Sequence, residues 1–593
     1  MDFTATNIEN LIPSRSTLSP SDHQKEYRDG QTLRFEIQPF NAFIDPRQSY
    51  LRFKVKVENA PSLVCFSKKA GIHSLISQIR IYDMEHNHQL ETIQSYSELA
   101  QKLHLYSENR TIRNKRGLTE LLEYGSRDFD GEMYDNLPDR NTDQSQLFTH
   151  QYLTGNEASY TANTDYTTNP NECEVAFRIY SGILGNPSTK MYPAFLTKGL
   201  RVEIDLNSAS KALELWTGAG ILNDDGSIAT DIEGSSRFGI ARALPNTANP
   251  LTSVDLYCDL NAGYNQVRAG ANPPTDVSIT EGVKPVANQL VGAVNLKVGE
   301  QLWGFNNANP PVFKFMGNIT SVNCNSGENA GGAVRVRVNL DGTGANGDEF
   351  NGGSGRDNTG TPQATANNTC GIKRTNIFPA GSPPKVVIND VEFVLKTAQP
   401  PQAYIDNLIK QTQTEEGAIL DYLTWDVYRN NIQSAEQLAQ INIPAINRRA
   451  TAIMCLPMEN STAPEVYTKA NDTIIDGCDN YNFIVNQKLQ PTRKVNLKLL
   501  SQTPAKTAQV ACWENEKALG ASKLMVSNLD YQDTNFFISR ALAMYGNVYD
   551  LQKDGNISLK VEYTAPSKNK LMITYIAGLR RMRVNREGLT IET

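Results

Sequence analysis

Hydrophobic and polar residues alternate along several short stretches of the chain. Between residues 50 and 58, Leu51, Phe53 and Val55 are separated by Arg52 and Lys54. A period of two is typical of a β-strand with one buried and one solvated face. The same alternation recurs at 33–37, 173–179 and 200–206. Such alternation is typical of antiparallel sheets with one face exposed to solvent, so the first third of the chain is predicted to be mainly β.

Two stretches instead have apolar residues at helical spacing. Residues 90–106 place Ile93, Tyr96, Leu99 and Leu103 on one stripe, which predicts an amphipathic helix packed on the first sheet. Residues 535–545 have a similar pattern and predict a second helix.

The amino-acid composition changes between about residues 208 and 380. Residues 321–375 contain 11 Gly and 9 Asn, a composition typical of loops. Short β patterns persist at 291–298 and 334–338, so an ordered surface insertion is favoured over a disordered linker.

Strand patterns resume at 386–395 and are interrupted at Pro400 and Pro401, where we place a domain boundary. Further short apolar stretches follow, separated by turns, at 419–428, 450–456, 495–499, 557–563 and 571–576. This spacing predicts two all-β units of sandwich type.

The charge and the apolar content narrow the class of protein. The 593 residues are 39% hydrophobic, enough for sizeable cores, and carry a net charge of −7. No apolar run reaches the ~18–20 residues of a membrane span. The acidic opening residues have neither the pattern of a signal peptide nor that of a basic arm that binds nucleic acid, so we expect no specific nucleic-acid recognition.

Little in the sequence indicates chemistry. The eight cysteines are far apart, as in reduced intracellular thiols, and the six histidines all lie within the first 150 residues. The common nucleotide, zinc, calcium and acyl-transfer motifs are missing. The best metal candidate is Glu85, His86 and His88, whose two imidazoles could face one ion. We interpret these residues as a polar hairpin tip, because nothing in the sequence indicates a further ligand of the right type. We therefore predict no catalytic, cofactor-binding or metal site and no enzyme activity.

One segment is strongly basic. Residues 568–586 carry six cations and no acid: Lys568, Lys570, Arg580, Arg581, Arg583 and Arg586. We favour pairing with carboxylates between packed subunits or domains, and keep contact with a genome as the alternative.

Several stretches together resemble one family. They are SYLRFKVKV at 49–57, GIHSLISQIRIYD at 71–83 leading into LETIQSYSELAQKLH at 90–104, the FRIYSGIL and GLRVEIDL pair at 177–206, and the basic closing strand at 571–586. This order resembles the double jelly-roll major capsid proteins of eukaryotic double-stranded DNA viruses, nearest to those of virophages and of polinton-like or adintovirus-like elements.

The resemblance implies a structural protein with two tandem eight-stranded antiparallel jelly rolls, a few short helices and a loop-rich insertion. It further implies a pseudo-hexameric homotrimer in an icosahedral shell, assembled inside the host cell and localised to the virion. The implied partners are copies of the chain itself and penton and minor capsid proteins.

The predicted domains are an N-terminal arm at 1–29, a first jelly roll at 30–400 with the insertion at about 208–380, and a second jelly roll at 401–593. We expect residues 1–20 to bridge molecules on the inner side of the shell. The alternative function is a secreted or surface carbohydrate-binding or carbohydrate-active tandem β-sandwich protein, against which the missing export signal counts.

Overall fold

The computed structural model describes most of the strands predicted above. The described residues are 11–58, 64–67, 69–106, 119–121, 172–185, 191–215, 221–227, 238–240, 244, 246–257, 301–306, 312–323, 336–350, 369–373, 384–444, 449–460, 473–485, 487–497, 509–519, 535–542, 548–554 and 557–592. The predicted strand at 291–298 lies outside them.

The elements are numbered in chain order. The strands up to residue 206 are β1 (Ile12–Leu18), β2 (Glu26–Arg28), β3 (Thr32–Ile37), β4 (Phe43–Ile44), β5 (Tyr50–Glu58), β6 (Val64–Phe66), β7 (Ile76–Asp83), β8 (Gln89–Gln94), β9 (Cys173–Phe177), β10 (Tyr192–Pro193) and β11 (Leu200–Leu206). The next are β12 (Leu213–Leu215), β13 (Ile221–Leu222), β14 (Phe238–Ile240), β15 (Ser253–Tyr257), β16 (Gln301–Phe305), β17 (Phe313–Asn323), β18 (Val336–Leu340) and β19 (Thr369–Lys373).

The remaining strands are β20 (Lys385–Gln399), β21 (Ala418–Ile432), β22 (Leu438–Ile443), β23 (Ala450–Glu459), β24 (Cys478–Val485), β25 (Lys488–Asn496), β26 (Ile538–Ala541), β27 (Ile557–Tyr563), β28 (Lys570–Asn585) and β29 (Gly588–Glu592). The α-helices are α1 (Tyr96–Tyr106), α2 (Ala209–Ala212), α3 (Gln402–Thr412), α4 (Gln509–Leu519) and α5 (Leu551–Asp554), and two 3-10 turns are Ile72–Leu75 and Gly347–Phe350.

The first unit is a sandwich of two antiparallel sheets. One has the order β9, β5, β20, with β1 and β2 on the far side of β20, and the other has the order β3, β11, β7, β8. With β1 and β2 counted as one interrupted first strand, these eight strands have the order of a jelly roll, in which successive strands change sheet except at the β7–β8 hairpin. Their apolar sides meet in a shared core.

The second unit repeats this arrangement. Its sheets have the orders β21, β28, β23, β26 and β22, β27, β24, β25, and β29 extends the first sheet from β28. Each strand has a counterpart at the same place in the first unit: β21 corresponds to β1 and β2, β25 to β8, and β28 to β20. The predicted pair of jelly rolls is confirmed.

The insertion forms a barrel of its own. Strands β14, β15, β18, β17, β16 and β19 pair in that order, all antiparallel, and β19 also pairs with β14, which closes the ring. Strand β13 adds to β19 in parallel. Closure leaves the six ring strands without an open edge, as expected for an ordered insertion.

Two predicted helices need correction. Residues 89–94 form β8, paired with β7, and the helix begins only at Tyr96. Residues 538–541 form β26, paired with β23, where a helix was predicted at 535–545. In both places short apolar runs fit either period, and pairing with a neighbouring strand decides between them.

The predicted N-terminal arm also differs from the structure. Residues 12–18 pair with 393–399 and residues 26–28 with 387–389, so this part belongs to the first jelly roll. Residues 1–10 lie outside the described part of the chain. The first jelly roll ends with β20 at Gln399, and α3 begins at Gln402.

Strand β5 shows how the alternating pattern builds the core. Its residues are alternately half-buried and buried, and Phe53 packs edge-on against Phe177 with ring centroids 5.7 Å apart. On the other face Arg52 pairs with Glu174 at 2.6 Å and Lys54 with Asp390 at 2.8 Å. The predicted inward and outward sides of this strand are confirmed.

Replacing Phe53 by Ala removes a 2% exposed aromatic ring and leaves a cavity between the two sheets. We expect the free energy of unfolding to fall by about 3–5 kcal/mol. Chemical denaturation measures it, with Lys54→Ala on the solvated face as the control, for which a change within about 0.5 kcal/mol is expected. Equal losses in the two variants would contradict this assignment of faces.

Candidate functional site

The loop between β7 and β8 holds the metal candidate Glu85, His86 and His88. It is the turn of an antiparallel hairpin, in which the His86 backbone N–H donates to Asp83 Oδ2 at 2.9 Å. Glu85 forms an ion pair with Lys198, and the two imidazole centroids lie 5.6 Å apart. The side chain of His86 is 48% exposed. These residues form the predicted polar hairpin tip, but it leads into strand β8 and not directly into the helix.

The basic segment 568–586 lies on β28 and the turns beside it. Five of its six cations form ion pairs: Lys568 with Glu459 (2.7 Å), Lys570 with Asp476 (2.5 Å), Arg580 with Asp426 (2.5 Å), Arg581 with Asp421 (2.9 Å) and Arg583 with Glu592 (3.0 Å). The predicted pairing with carboxylates is confirmed. The partners, however, lie in the same jelly roll, not in another domain or subunit, because the flanking strands β21 and β29 supply three of the acids.

Asp421 shows how well these charges are matched. Burial acts to raise the pKa of its carboxyl, but hydrogen bonds from Arg581 and Arg449 outweigh burial and lower the pKa to about 2. The segment's positive charge is thus largely neutralised within the protein, which weakens the case for a genome-binding surface.

The two jelly rolls meet where β8, an edge strand of the first, faces β21 and β28 of the second. Tyr422 Oη donates to the Leu90 carbonyl oxygen at 2.5 Å, and Tyr575 Oη donates to the Ser95 carbonyl oxygen at 2.7 Å. Both tyrosines are at most 1% exposed. Burial raises the pKa of both phenols well above their usual range, so they remain neutral hydrogen-bond donors.

Two arginines of the second jelly roll complete this junction. Arg580 Nη1 donates to the Leu90 carbonyl oxygen at 3.2 Å, and Arg429 Nη2 donates to Ser95 Oγ at 2.6 Å. Four side chains of the second jelly roll therefore contact β8 and the residue after it, two of them at Leu90 near the start of the strand and two at Ser95 just before α1. Charged donors make the stronger hydrogen bonds of this set.

A buried carboxylate lies at the same junction. Glu91 is 0% exposed and accepts hydrogen bonds from Ser181 Oγ at 2.5 Å and from the Gly182 backbone N–H at 2.7 Å. Burial raises the pKa of the Glu91 carboxyl despite these donors and the nearby Arg580. The backbones approach closely here, since a Cβ at Gly182 would lie 2.1 Å from the Leu423 carbonyl oxygen.

Contacts on either side extend the junction. Lys102 Nζ on α1 donates to Thr473 Oγ1 of the second jelly roll at 3.2 Å. Near the linker helix α3, Phe43 packs on Tyr404 with ring centroids 6.1 Å apart, in a small apolar cluster that also includes Leu408 and Ala418. The two jelly rolls thus share a built interface with both polar and apolar contacts.

The described residues hold one group of three possible metal ligands, His73, His104 and Glu120, which sequence analysis missed. No motif links these positions, because they lie 31 and 16 residues apart and only the fold brings them together. Across the described part of the chain, no helix is long and apolar enough to cross a membrane.

The tyrosine pair can be tested directly. Replacing both Tyr422 and Tyr575 by Phe leaves the Ser95 carbonyl without its tyrosine donor and the Leu90 carbonyl with only Arg580. We expect a loss of about 1–3 kcal/mol per hydroxyl in the free energy of unfolding, measured by chemical denaturation. The control is Tyr82→Phe on the half-buried face of β7, for which little change is expected. A double variant as stable as the control would contradict the assigned role of the hydroxyls.

Glu91 predicts a dependence on pH. A raised pKa in the folded state gives stability that is complete below the unfolded pKa of about 4.3 and is lost as the pH rises through the folded value. Relative to the wild type, Glu91→Gln should therefore gain up to about 1.4 kcal/mol per pH unit within that window.

Denaturation curves of both proteins from pH 4 to pH 8 measure this difference, and Glu392→Gln on the surface of β20 is the control. A constant difference between Glu91→Gln and the wild type would show that Glu91 ionises as freely in the folded protein as in the unfolded chain.

The sequence matches no protein-family profile and no curated protein sequence. Among solved structures, it is similar to the major capsid protein of Faustovirus at 8% identity and a TM-score of 0.44, over 99% of this chain and 92% of the other. The major capsid protein of mavirus is 9% identical with a TM-score of 0.34, over 98% of this chain and 90% of the other. A chain in the structure of the Sputnik virophage is 9% identical with a TM-score of 0.36, over 98% of this chain and 88% of the other. By its own strand order, the chain is a double jelly-roll protein, and it resembles these proteins over nearly its whole length.

Proposed function

We propose that this chain is a major capsid protein that assembles as a homotrimeric, pseudo-hexameric capsomer of an icosahedral viral shell. The observation that supports the proposal is the junction between the two jelly rolls, which joins different surfaces of each. The β8 edge of the first jelly roll contacts the β21 and β28 side of the second.

Such a contact is heterologous, and heterologous contacts that repeat form rings when the rotation between units closes. Within the described residues, each chain has a second copy of both surfaces that no other jelly roll contacts. The second jelly roll has β25, the counterpart of β8, and the first has the side formed by β1 and β20, the counterparts of β21 and β28. Three chains that repeat the contact give a ring of six jelly rolls.

Exposed apolar residues lie where this repetition needs them. Helix α1 follows β8 and contacts the second jelly roll through Lys102. Its counterpart α4 follows β25, and there Trp513 is 64% exposed and Val510 is 55% exposed. On the other surface Ile12 of β1 is 64% exposed. Permanent interfaces bury such residues and typically exceed about 2,000 Å².

In this proposal the protein acts by burying surface and carries out no chemistry. Its partners are two further copies in the capsomer, neighbouring capsomers, and penton and minor capsid proteins, and it is localised to the virion after assembly inside the host cell. Residues 1–10 remain proposed as a bridge between molecules.

Size-exclusion chromatography with light scattering tests the trimer. We expect about 200 kDa for three chains of 65.7 kDa each. Trp513→Glu places a charge in the proposed interface and should give a folded monomer. The matched control is Val312→Glu, which changes a residue that is 49% exposed in the insertion and should leave the trimer intact.

A wild-type monomer would contradict the proposal, and glycan binding by that monomer would support the carbohydrate-binding alternative. Trimers that persist in Trp513→Glu would place the subunit interface elsewhere.

A further inference from the structure

We propose that His73, His104 and Glu120 bind one zinc ion inside the first jelly roll. Their ligand atoms lie within 4.8 Å of one another. His73 lies in the 3-10 turn Ile72–Leu75, His104 in α1, and Glu120 in the short helical turn at 119–121. The residues are 0%, 0% and 2% exposed.

The distances fit coordination better than direct hydrogen bonds. Glu120 Oε2 lies 3.5 Å from His73 Nε2 and 3.6 Å from His104 Nε2. A charge-assisted N–H···O bond is shorter, about 2.7–2.9 Å. Ligand atoms on a tetrahedral zinc ion, with bonds of about 2.0–2.2 Å, are separated by about 3.4 Å. An ion between the carboxylate and the two imidazoles therefore needs only local side-chain adjustment.

The other nitrogen of each imidazole is held by a tyrosine. Tyr96 Oη lies 2.9 Å from His73 Nδ1, and Tyr180 Oη lies 3.0 Å from His104 Nδ1. A phenol oxygen can accept a hydrogen from Nδ1, and this tautomer directs the Nε2 lone pair at a metal. Second partners of this kind are typical of histidine ligands of zinc.

The donor set is also compatible with zinc. Two imidazoles and one carboxylate suit zinc and leave a fourth position for a water molecule. A surface cleft lined by Arg52, Glu174 and Arg178 reaches Thr119 and Glu120 and gives the ion an entry path. An ion held by all three side chains ties Glu120 to the 3-10 turn and to α1.

Elemental analysis of the full-length protein, incubated with zinc sulfate and then dialysed, should give about one zinc per chain. Cobalt(II) in place of zinc should produce the intense visible absorption of a tetrahedral site, and a chelator should lower the thermal midpoint by at least about 3 °C. Less than about 0.2 zinc per chain in the folded protein, with no cobalt spectrum, would overturn the proposal.

The informative variant is Glu120→Gln, which keeps the side-chain volume and removes the anionic ligand. We expect it to fold, with an affinity for zinc at least about tenfold weaker. His104→Ala should lose the ion. The control is the double variant His86→Ala and His88→Ala, which removes the exposed pair and should keep one zinc per chain. If the control loses the ion or Glu120→Gln binds it unchanged, the proposed site is wrong.

Discussion

The arrangement of the chain depends on two main-chain carbonyls at the edge of the first jelly roll. Leu90 lies near the start of β8 and Ser95 lies between β8 and α1, and their carbonyls accept hydrogen bonds from Tyr422 and Tyr575 of the second jelly roll. A buried carbonyl without a donor costs free energy comparable to a lost hydrogen bond. The second jelly roll therefore supplies hydrogen-bond donors to buried backbone groups of the first, which stabilises the contact between the two.

The junction is related to where the chain carries its long connections and its insertion. Long connections leave each jelly roll at equivalent points, and those after β8 and β25 carry α1 and α4. The barrel, in contrast, lies between β11 and β20. Helix α1, which contacts the second jelly roll, is thus separated along the strand order from the added barrel, so the insertion does not interrupt the junction. Close approach of the backbones at Gly182 sets a limit on variation there.

How much could be predicted depended on whether a signal was local. Strand β5 was predictable because one of its faces is solvated and its period is unambiguous. Strand β26 was not, because Phe536, Phe537 and Ile538 are consecutive and all buried, which gives no clear period, and the strand is defined by pairing of residues 538–541 with β23. The cations of β28 were recognised as ion-pair partners, but the registry that brings Asp421 and Asp426 beside them is a property of the sheet. The cluster of His73, His104 and Glu120 could not be predicted from the sequence, because its residues lie in three separate segments that only the fold brings together.

The closed barrel of the insertion has a consequence for how such proteins diversify. Because its ring strands satisfy one another, the barrel needs no strand from the jelly roll to complete its sheet. It enters the chain between two consecutive strands of the first jelly roll, β11 and β20, so changes within the barrel leave the pairing of the jelly-roll strands unaltered. Selection on the surface that the barrel carries is then uncoupled from selection on the packing of the jelly roll.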